Sequence, residues 1–309
     1  MKAAVCRKYG APENLIIEDI EAPAIGSNDI LVKVFTTCVT SSDCYIRGFN
    51  VPLYLKPLMG LMLGFRKPRQ PVLGMVFSGV VTARGKNVRG FQTGTEVFGF
   101  DRFGFGCYAD YKKINTNGVV IEKPPEFSHI DTAGITYGGL LAQYYLKKAS
   151  IELRKKILII GASGAVGSSA VQLAKDAKTY VVGVCGTDNI NYVSDLGADR
   201  VIDYRKNNYL NQTEKYDLIF DAVPAAAVRK INRADIEKLL EKNGVYISVR
   251  QGTPGFSKKD LEDLVHTYLK KGLKPGIGRV MKIEEIAQAH RYAETWHKRG
   301  NLVIEIGET

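Results

Sequence analysis

The chain has 309 residues, 45% of them hydrophobic and 24% charged, the composition of a globular protein large enough for two domains. Its net charge of +11 is spread along the whole chain, with no long basic run and no nucleic-acid motif, so nucleic acid is excluded as an expected partner. No stretch approaches the roughly 18–20 apolar residues of a membrane span, and five cysteines without a C-x-x-C pair offer neither a disulfide framework nor a zinc finger.

The N-terminal MKAAVCRKYG has no secretory apolar core and runs straight into a strand. Reduced thiols in the cytoplasm are the simplest reading. The first 120 residues read as strands and turns: KAAVC, NLIIED, ILVKVFT, VFSGVVTARG, EVFGF and CYADYKKI, separated by Gly-rich turns. Residues 50–70, rich in Leu and Met, read as a connection packed on its own domain or a lid over an apolar pocket; a membrane- or partner-touching surface is the alternative. From about 125 the character changes. Residues 129–149 look helical, and the apolar strands KILII, YVVGV, RVIDY, DLIFDAV and GVYISV then alternate with helical segments. That alternation predicts a parallel sheet covered by helices on both faces. A last helix, residues 283–299, precedes a final strand, LVIEI.

KILII runs into GASGAVG. Gly161 sits where a strand turns sharply into a helix, Gly164 lets the backbone approach a ligand, and Gly167 lets the helix pack on the strand. The amides around Ser163, Ala165 and Val166 then face a pyrophosphate at the helix N-terminus. An apolar strand before, a helix after and a second strand at βαβ distance support a dinucleotide site. The tip of that second strand, Cys185-Gly186-Thr187, is small and uncharged. It leaves room for a 2′-phosphate and favours NADP(H). Asp188, just beyond, keeps NAD(H) as the alternative, because a carboxylate on the ribose favours NAD. Tyr204 ends the next strand, where it can stack on adenine, bond the phosphate or simply finish the strand.

In combination, residues 76–100, FGFGCYADY (103–111), GITYGGLLAQYYL (134–146), IIGASGAVGSSAVQLAK (159–175) and LGADRVIDYR (196–205) resemble the medium-chain dehydrogenase/reductase superfamily. The likeness is to its zinc-independent quinone oxidoreductase branch. GFRKPRQPVLG (64–74) is similar to the reticulon-interacting oxidoreductase-like group. The resemblance implies an α/β fold: a Rossmann doubly wound parallel sheet over residues 125–274, plus a GroES-like mostly-β domain of residues 1–124 with 275–309. The cofactor would lie between them. It places the catalytic zinc ligands of the superfamily's alcohol dehydrogenases at Thr40, Met75 and Tyr137, and their nearby Glu at Val76. None of these is a zinc ligand, so no metal is expected. It also implies that the 40–48 motif borders the nicotinamide, with Tyr45 as the active-site tyrosine contacting substrate beside Thr40, and that Asn301 faces the cofactor. Thr40, where the family usually has Asn, and Leu141, where it often has Thr, depart from the pattern. Asp43, in the same motif, reads as the cap of a turn or helix start.

The expected reaction is zinc-independent hydride transfer from NADPH to a quinone or an α,β-unsaturated carbonyl, since without a Lewis acid an electron-poor acceptor is the easier partner. An enoyl or alkenal reductase on the same scaffold is the alternative enzyme. A low-activity NADPH-binding sensor or partner protein is the alternative class. The resemblance also implies a homodimer, though no interface can be read from the chain.

Overall fold

The computed structural model describes residues 1–50, 53–224, 233–251 and 254–307, with the Leu55 side chain left aside. Val51 and Pro52 of the Leu/Met-rich segment lie outside these. Strands β1 (Lys2–Cys6) and β2 (Leu15–Asp19) form an antiparallel pair. The long β3 (Asp29–Val39) alternates between buried and half-buried side chains along its first seven residues, the period-two pattern of a strand with two unlike faces. It pairs antiparallel with β4 (Val76–Arg84) and β6 (Tyr111–Asn115); β5 (Glu96–Phe100) and β7 (Val119–Glu122) extend the sheet beyond β4. The end of the chain closes the opposite edge: β14 (Asn301–Glu305) lies antiparallel to β3, with β13 (Ile277–Lys282) outside it. Seven strands result, and the last two come from the far end of the sequence.

The second sheet is wholly parallel. Strands β8 (Lys156–Ile160), β9 (Tyr180–Cys185), β10 (Arg200–Asp203), β11 (Tyr216–Asp221) and β12 (Leu240–Ser248) take the order β10-β9-β8-β11-β12. Burial on both faces explains why its central members are continuous apolar runs. The chain leaves β8 in one direction and returns to β8's other side with β11. The topological switch point therefore lies at the C-terminal ends of β8 and β11, where open α/β sheets hold ligands. Helices α4 (Ala165–Asp176), α5 (Ile190–Asp195) and α6 (Arg233–Glu237) belong to this sheet. The α/β class and doubly wound sheet expected from the sequence are found.

Helix α3 (His129–Lys148) buries 13 of its 20 residues, lying between the mixed sheet and α4; its capping box, Ser128 with Asp131, starts it. Helix α7 (Lys258–Lys271) starts with the same device, Ser257 with Asp260, and buries Leu261, Leu264, Val265 and Tyr268 at helical spacing. In the first half of the chain, α1 (Ser41–Gly48) and α2 (Lys56–Leu63) stand where the sequence pattern shows no helix. Helix α1 matters most for the site. Arg47, 1% exposed, donates to Gly10 O, to Glu294 and, through Nε at 3.3 Å, to His290 Nδ1. Glu294 and His290 belong to α8 (Ile286–Glu294), so α1 is pinned to α8 through one buried guanidinium. Cys44 Sγ lies 3.6 Å from the same Nδ1.

This buried cluster makes stability pH-dependent. Burial, helped by the charge of Arg47, lowers His290 to about 3. Below pH about 6.5 the unfolded chain binds a proton that the folded chain refuses, so this contribution is present above that pH and lost on acidification at about 1.4 kcal/mol per pH unit. Asp43 has the opposite sign. Burial raises its carboxyl to about 6, so between roughly pH 4 and 6 the folded state holds a proton the unfolded state has lost. The two terms nearly cancel in that window. His290→Gln keeps an acceptor for Arg47 and removes one term. Urea unfolding between pH 7 and 4 should then show the variant losing less stability than the parent, by about 3 kcal/mol at the acid end. Parallel curves would mean that His290 is not held neutral.

Candidate active site

The glycine turn closes the end of β8. Gly161 has φ +77°, open to glycine at no cost, and the amides of Gly161 and Ala162 both donate to Val184 O, at 3.1 and 3.0 Å. A Cβ on Gly167 would strike the Gly161 carbonyl oxygen and lie 2.8 Å from Ala162 Cα; tight packing of α4 on β8 demands this glycine. Gly164 is different. Its backbone is extended, with φ −78°, and a Cβ there would meet only Gly161 O, at 3.6 Å. Nothing in the protein needs Gly164 to be bare. It caps α4 without a side chain, beside half-exposed Ser163 and Ala165, so the first-turn amides of α4, Val166 included, are left for a ligand. The side chain of Val166 is core. These features fit the diphosphate of a dinucleotide.

At the tip of β9 the structure gathers Gly186, Thr187, Asp188, Tyr204 and Arg205. The Thr187 hydroxyl donates to Asp203 Oδ2 at 2.7 Å and lowers that carboxyl's pKa, so its side chain is already engaged. A Cβ on Gly186 would lie 3.3 Å from Arg205 Nε and 3.4 Å from Tyr204 Oη; both groups converge on this glycine. Asp188 does not stand alone: its Oδ2 accepts from Arg205 Nη1 at 2.8 Å. Arg299 reaches the same loop, donating to Asp188 O at 3.1 Å and to Asn189 Oδ1 at 3.2 Å. Arg205 went unrecognised in the sequence because its role depends on β10 lying beside β9.

The C-terminal return meets the glycine turn directly. Gly300 N donates to Ser163 O at 2.8 Å, and Gly300 bridges Gly164. Asn301 is buried and spends both its backbone amide and its Nδ2 on Gly276 O, at 2.6 and 3.1 Å. Lys298, which no sequence pattern marked, donates Nζ to Gly300 O at 2.7 Å, and burial lowers its amine to about 8.

The other wall is the start of α1. Thr40 is its N-cap: the hydroxyl accepts from Asp43 N at 3.2 Å and donates to Asp43 Oδ2 at 2.6 Å, while Asp43 takes Thr40 N at 2.9 Å and Gly74 N at 3.2 Å. Asp43 is thus the cap expected of it, and the hydroxyl of Thr40 is committed to the same box. Tyr137, from α3, places its hydroxyl 2.9 Å from Ser42 Oγ and 3.5 Å from Ser41 Oγ. Burial raises its phenol above the usual range, so it stays protonated at neutral pH. Tyr45 is half-buried and lies three and four residues after Ser42 and Ser41, on the helix face they share; its hydroxyl has no hydrogen-bond partner among the described residues. Met75, Phe100 and Ile46 pack with Tyr137 in one apolar cluster, next to buried Leu141.

Thr40, Met75 and Tyr137 therefore meet, but as a helix cap, a buried thioether and a protonated phenol. They do not fit zinc, and no three His, Cys, Asp or Glu side chains group for a metal among the described residues. Burial pushes the Cys38 thiol up to about 12 and Cys44 higher still, so neither is a thiolate. A cleft of about 870 Å³ lined by Phe35, Lys282, Glu284 and Glu305 opens at the opposite end of β14 from Gly300 and holds none of these groups.

Comparison with known proteins agrees with this architecture. The model of the alcohol dehydrogenase GroES-like domain matches residues 26–155, and that of the zinc-binding dehydrogenase domain matches residues 196–304. A chloroplastic quinone-oxidoreductase homolog from Spinacia oleracea is 31% identical over 96% of this chain and 95% of its own. The 2-methylene-furan-3-one reductase of Solanum lycopersicum is 27% identical over 98% of this chain and 79% of its own. Among solved structures, the quinone oxidoreductase from Coxiella burnetii superimposes with a TM-score of 0.83 at 25% identity, covering 99% of both chains.

The glycines separate folding from binding. Gly167→Ala overpacks the helix–strand contact and should lower the apparent Tm by roughly 3–10 °C. Gly164→Ala should cost under about 1 kcal/mol, the difference between Gly and Ala at a helix N-cap, yet weaken dinucleotide binding at least about tenfold by obstructing the approach of the phosphates. Thermal scans and fluorescence titration check both. Unchanged affinity in Gly164→Ala would remove the turn from the binding site.

Proposed function

The chain belongs to the quinone oxidoreductase-like branch of the medium-chain dehydrogenase/reductase superfamily, and we propose that it transfers hydride from NADPH to a quinone or an α,β-unsaturated carbonyl without zinc. The observation that carries this reading is the hydroxyl cluster of Tyr137, Ser42 and Ser41 beside Tyr45, with Thr40, Met75 and Tyr137 at the positions where a metal-dependent relative would need thiolates and imidazole. The names of the spinach and tomato relatives, a quinone-oxidoreductase homolog and an enone reductase, support the acceptor class. Five free, buried cysteines support a reducing, cytoplasmic setting.

The bound nicotinamide supplies the hydride. The residues supply orientation, charge and a proton. The first-turn amides of Ala165 and Val166 hold the diphosphate, which approaches over the bare Gly164. Arg205 and Tyr204 take the 2′-phosphate, Arg205 exchanging the Asp188 carboxylate for it; the Asp188–Arg205 pair is exposed, so that exchange costs little. Hydride arriving at the β-carbon of an enone, or at a quinone, leaves negative charge on the carbonyl oxygen. The Tyr137 phenol, kept protonated by burial and oriented by Ser42, donates to that oxygen. Tyr45 borders the acceptor, and its unpartnered hydroxyl is the second donor. Asn301 acts behind the cofactor, fixing the strand that meets the turn.

Two measurements test this. Tyr137→Phe should reduce kcat about 100-fold, the range for losing one preorganised donor to a developing oxyanion, while NADPH affinity stays within error. Tyr45→Phe should reduce it less. Equal turnover in all three proteins would remove the phenols from the chemistry. Arg205→Ala should weaken NADPH about 10–100-fold, the loss of a charged hydrogen bond, and leave NADH unaffected. Tighter binding of NADH than NADPH by the parent protein, or zinc retained stoichiometrically after chelation, would overturn the reading.

A further inference from the structure

Helix α2 carries its apolar stripe on the outside. Leu58, Leu61 and Met62 fall on one helical face, at i, i+3 and i+4, and exposed Phe65 follows just beyond the helix end. With Leu53 and Tyr54 just before the helix, these six side chains are between 49% and 81% exposed. The opposite face is anchored. Gly60 is buried under the Phe65 ring, where a Cβ would lie 2.6 Å from Cε1. Leu63 packs against the core, and Tyr9 Oη donates to Leu63 O and Gly64 O at 2.8 and 3.0 Å. The stripe is therefore held outward. So large an apolar display on a single element marks a surface built to be covered.

Charge identifies what covers it. Lys56, Arg66, Lys67 and Arg69 flank the stripe, all exposed and none in an ion pair among the described residues. From Cys44 to Thr95 the chain has eight Lys or Arg and no Asp or Glu, so no acidic side chain from this stretch offsets them. A second copy of the chain seated by two-fold symmetry would set these cations against their own images. A lid on the protein's own cleft would turn the apolar side chains inward, and here they face solvent. We propose that the element spanning Leu53 to Arg69 is a docking surface for an anionic lipid bilayer, with Leu58, Leu61, Met62 and Phe65 entering the interface and the four cations meeting lipid headgroups. A short helix with an apolar face and a Lys/Arg border is the physical form of an interfacial anchor that lies on a membrane rather than across it, and no helix among the described residues is long and apolar enough to cross one.

Co-sedimentation of the full chain with vesicles tests this, and it needs neither cofactor nor substrate, so its outcome stands apart from the redox chemistry. The parent protein should pellet with phosphatidylcholine vesicles containing phosphatidylglycerol, remain free with phosphatidylcholine alone, and be released by salt. The double substitution Leu58→Glu with Leu61→Glu should lower the partition coefficient at least about tenfold, and Arg66→Glu with Lys67→Glu should do the same. All four side chains are exposed, and an unchanged Tm shows that the variants fold. Parent protein left in the supernatant with phosphatidylglycerol vesicles overturns the proposal, as does pelleting that Leu58→Glu/Leu61→Glu leaves intact. A dimer in sedimentation velocity that this double variant dissolves assigns the face to a second copy instead. A change confined to substrate KM, without vesicle binding, assigns it to a lid.

Discussion

The whole site hangs on one backbone contact, the Gly300 amide donating to the Ser163 carbonyl. It joins the strand that closes the mixed sheet to the turn that opens the parallel sheet's first helix. Side chains cannot make so short a junction, and Gly300 adopts φ +51° with no room for a Cβ against the Gly276 backbone. Asn301 completes the bolt by giving two donors to Gly276 O. Because β14 also pairs with β3, and β3 runs into the Thr40 cap of α1, the hydroxyl cluster and the phosphate turn are linked by a few ladder hydrogen bonds. Relative placement of hydride donor and proton donor to a fraction of an ångström is what a redox site needs.

What could be read from the sequence follows from how each element is buried. The central strands β8, β9 and β11 are sealed on both faces, so the runs ILII, VVGV and LIF are apolar without interruption and stand out. The glycine turn stands out too, because two of its glycines are demanded by local geometry. Helix α1 does not. Its inward positions are Asp43, Cys44 and Arg47, a polar face that carries no hydrophobic period, and only the tertiary partners on α8 make it bury. Helix α7 carries ordinary signals, a capping box and an apolar stripe, within a stretch dominated by the strand pattern around it. Among site residues, the turn glycines and Tyr45 were visible as motif. Arg205, Ser42 and Lys298 were not, because each acquires its neighbours only when β10 lies beside β9, α3 crosses α1, or β14 returns.

The charged groups beneath α1 share a physical logic. Asp43, Arg47 and His290 are each 1% exposed or less, and each is compensated: Asp43 by three N–H and O–H donors, Arg47 by a carbonyl, a carboxylate and an imidazole nitrogen, and His290 by staying neutral. Removing one partner would leave a buried charge uncompensated, which costs far more than the pair contributes. Such a network fixes one position for the helix. The hydroxyls of Ser41 and Ser42 consequently meet Tyr137 from a rigid base, and the outward Tyr45 is the least restrained of the site's hydroxyls.

That rigidity also bears on how α2 relates to the site. Helix α1 ends at Phe49, whose ring stacks on Tyr9 at 4.5 Å between centroids, and Tyr9 in turn holds the Leu63 and Gly64 carbonyls. The outward stripe and α1 therefore share an anchor. Gly10, the residue after Tyr9, donates its amide to Arg47 O at 2.9 Å and accepts from the Arg47 guanidinium, so the same anchor runs into the Arg47 clamp. The buried guanidinium makes three hydrogen bonds, to Gly10 O, Glu294 and His290, and so ties the end of α1 both to the N-terminal segment and to α8. The outward stripe of α2 and the Thr40–Asp43 cap are therefore joined through α1 and its Arg47 anchor.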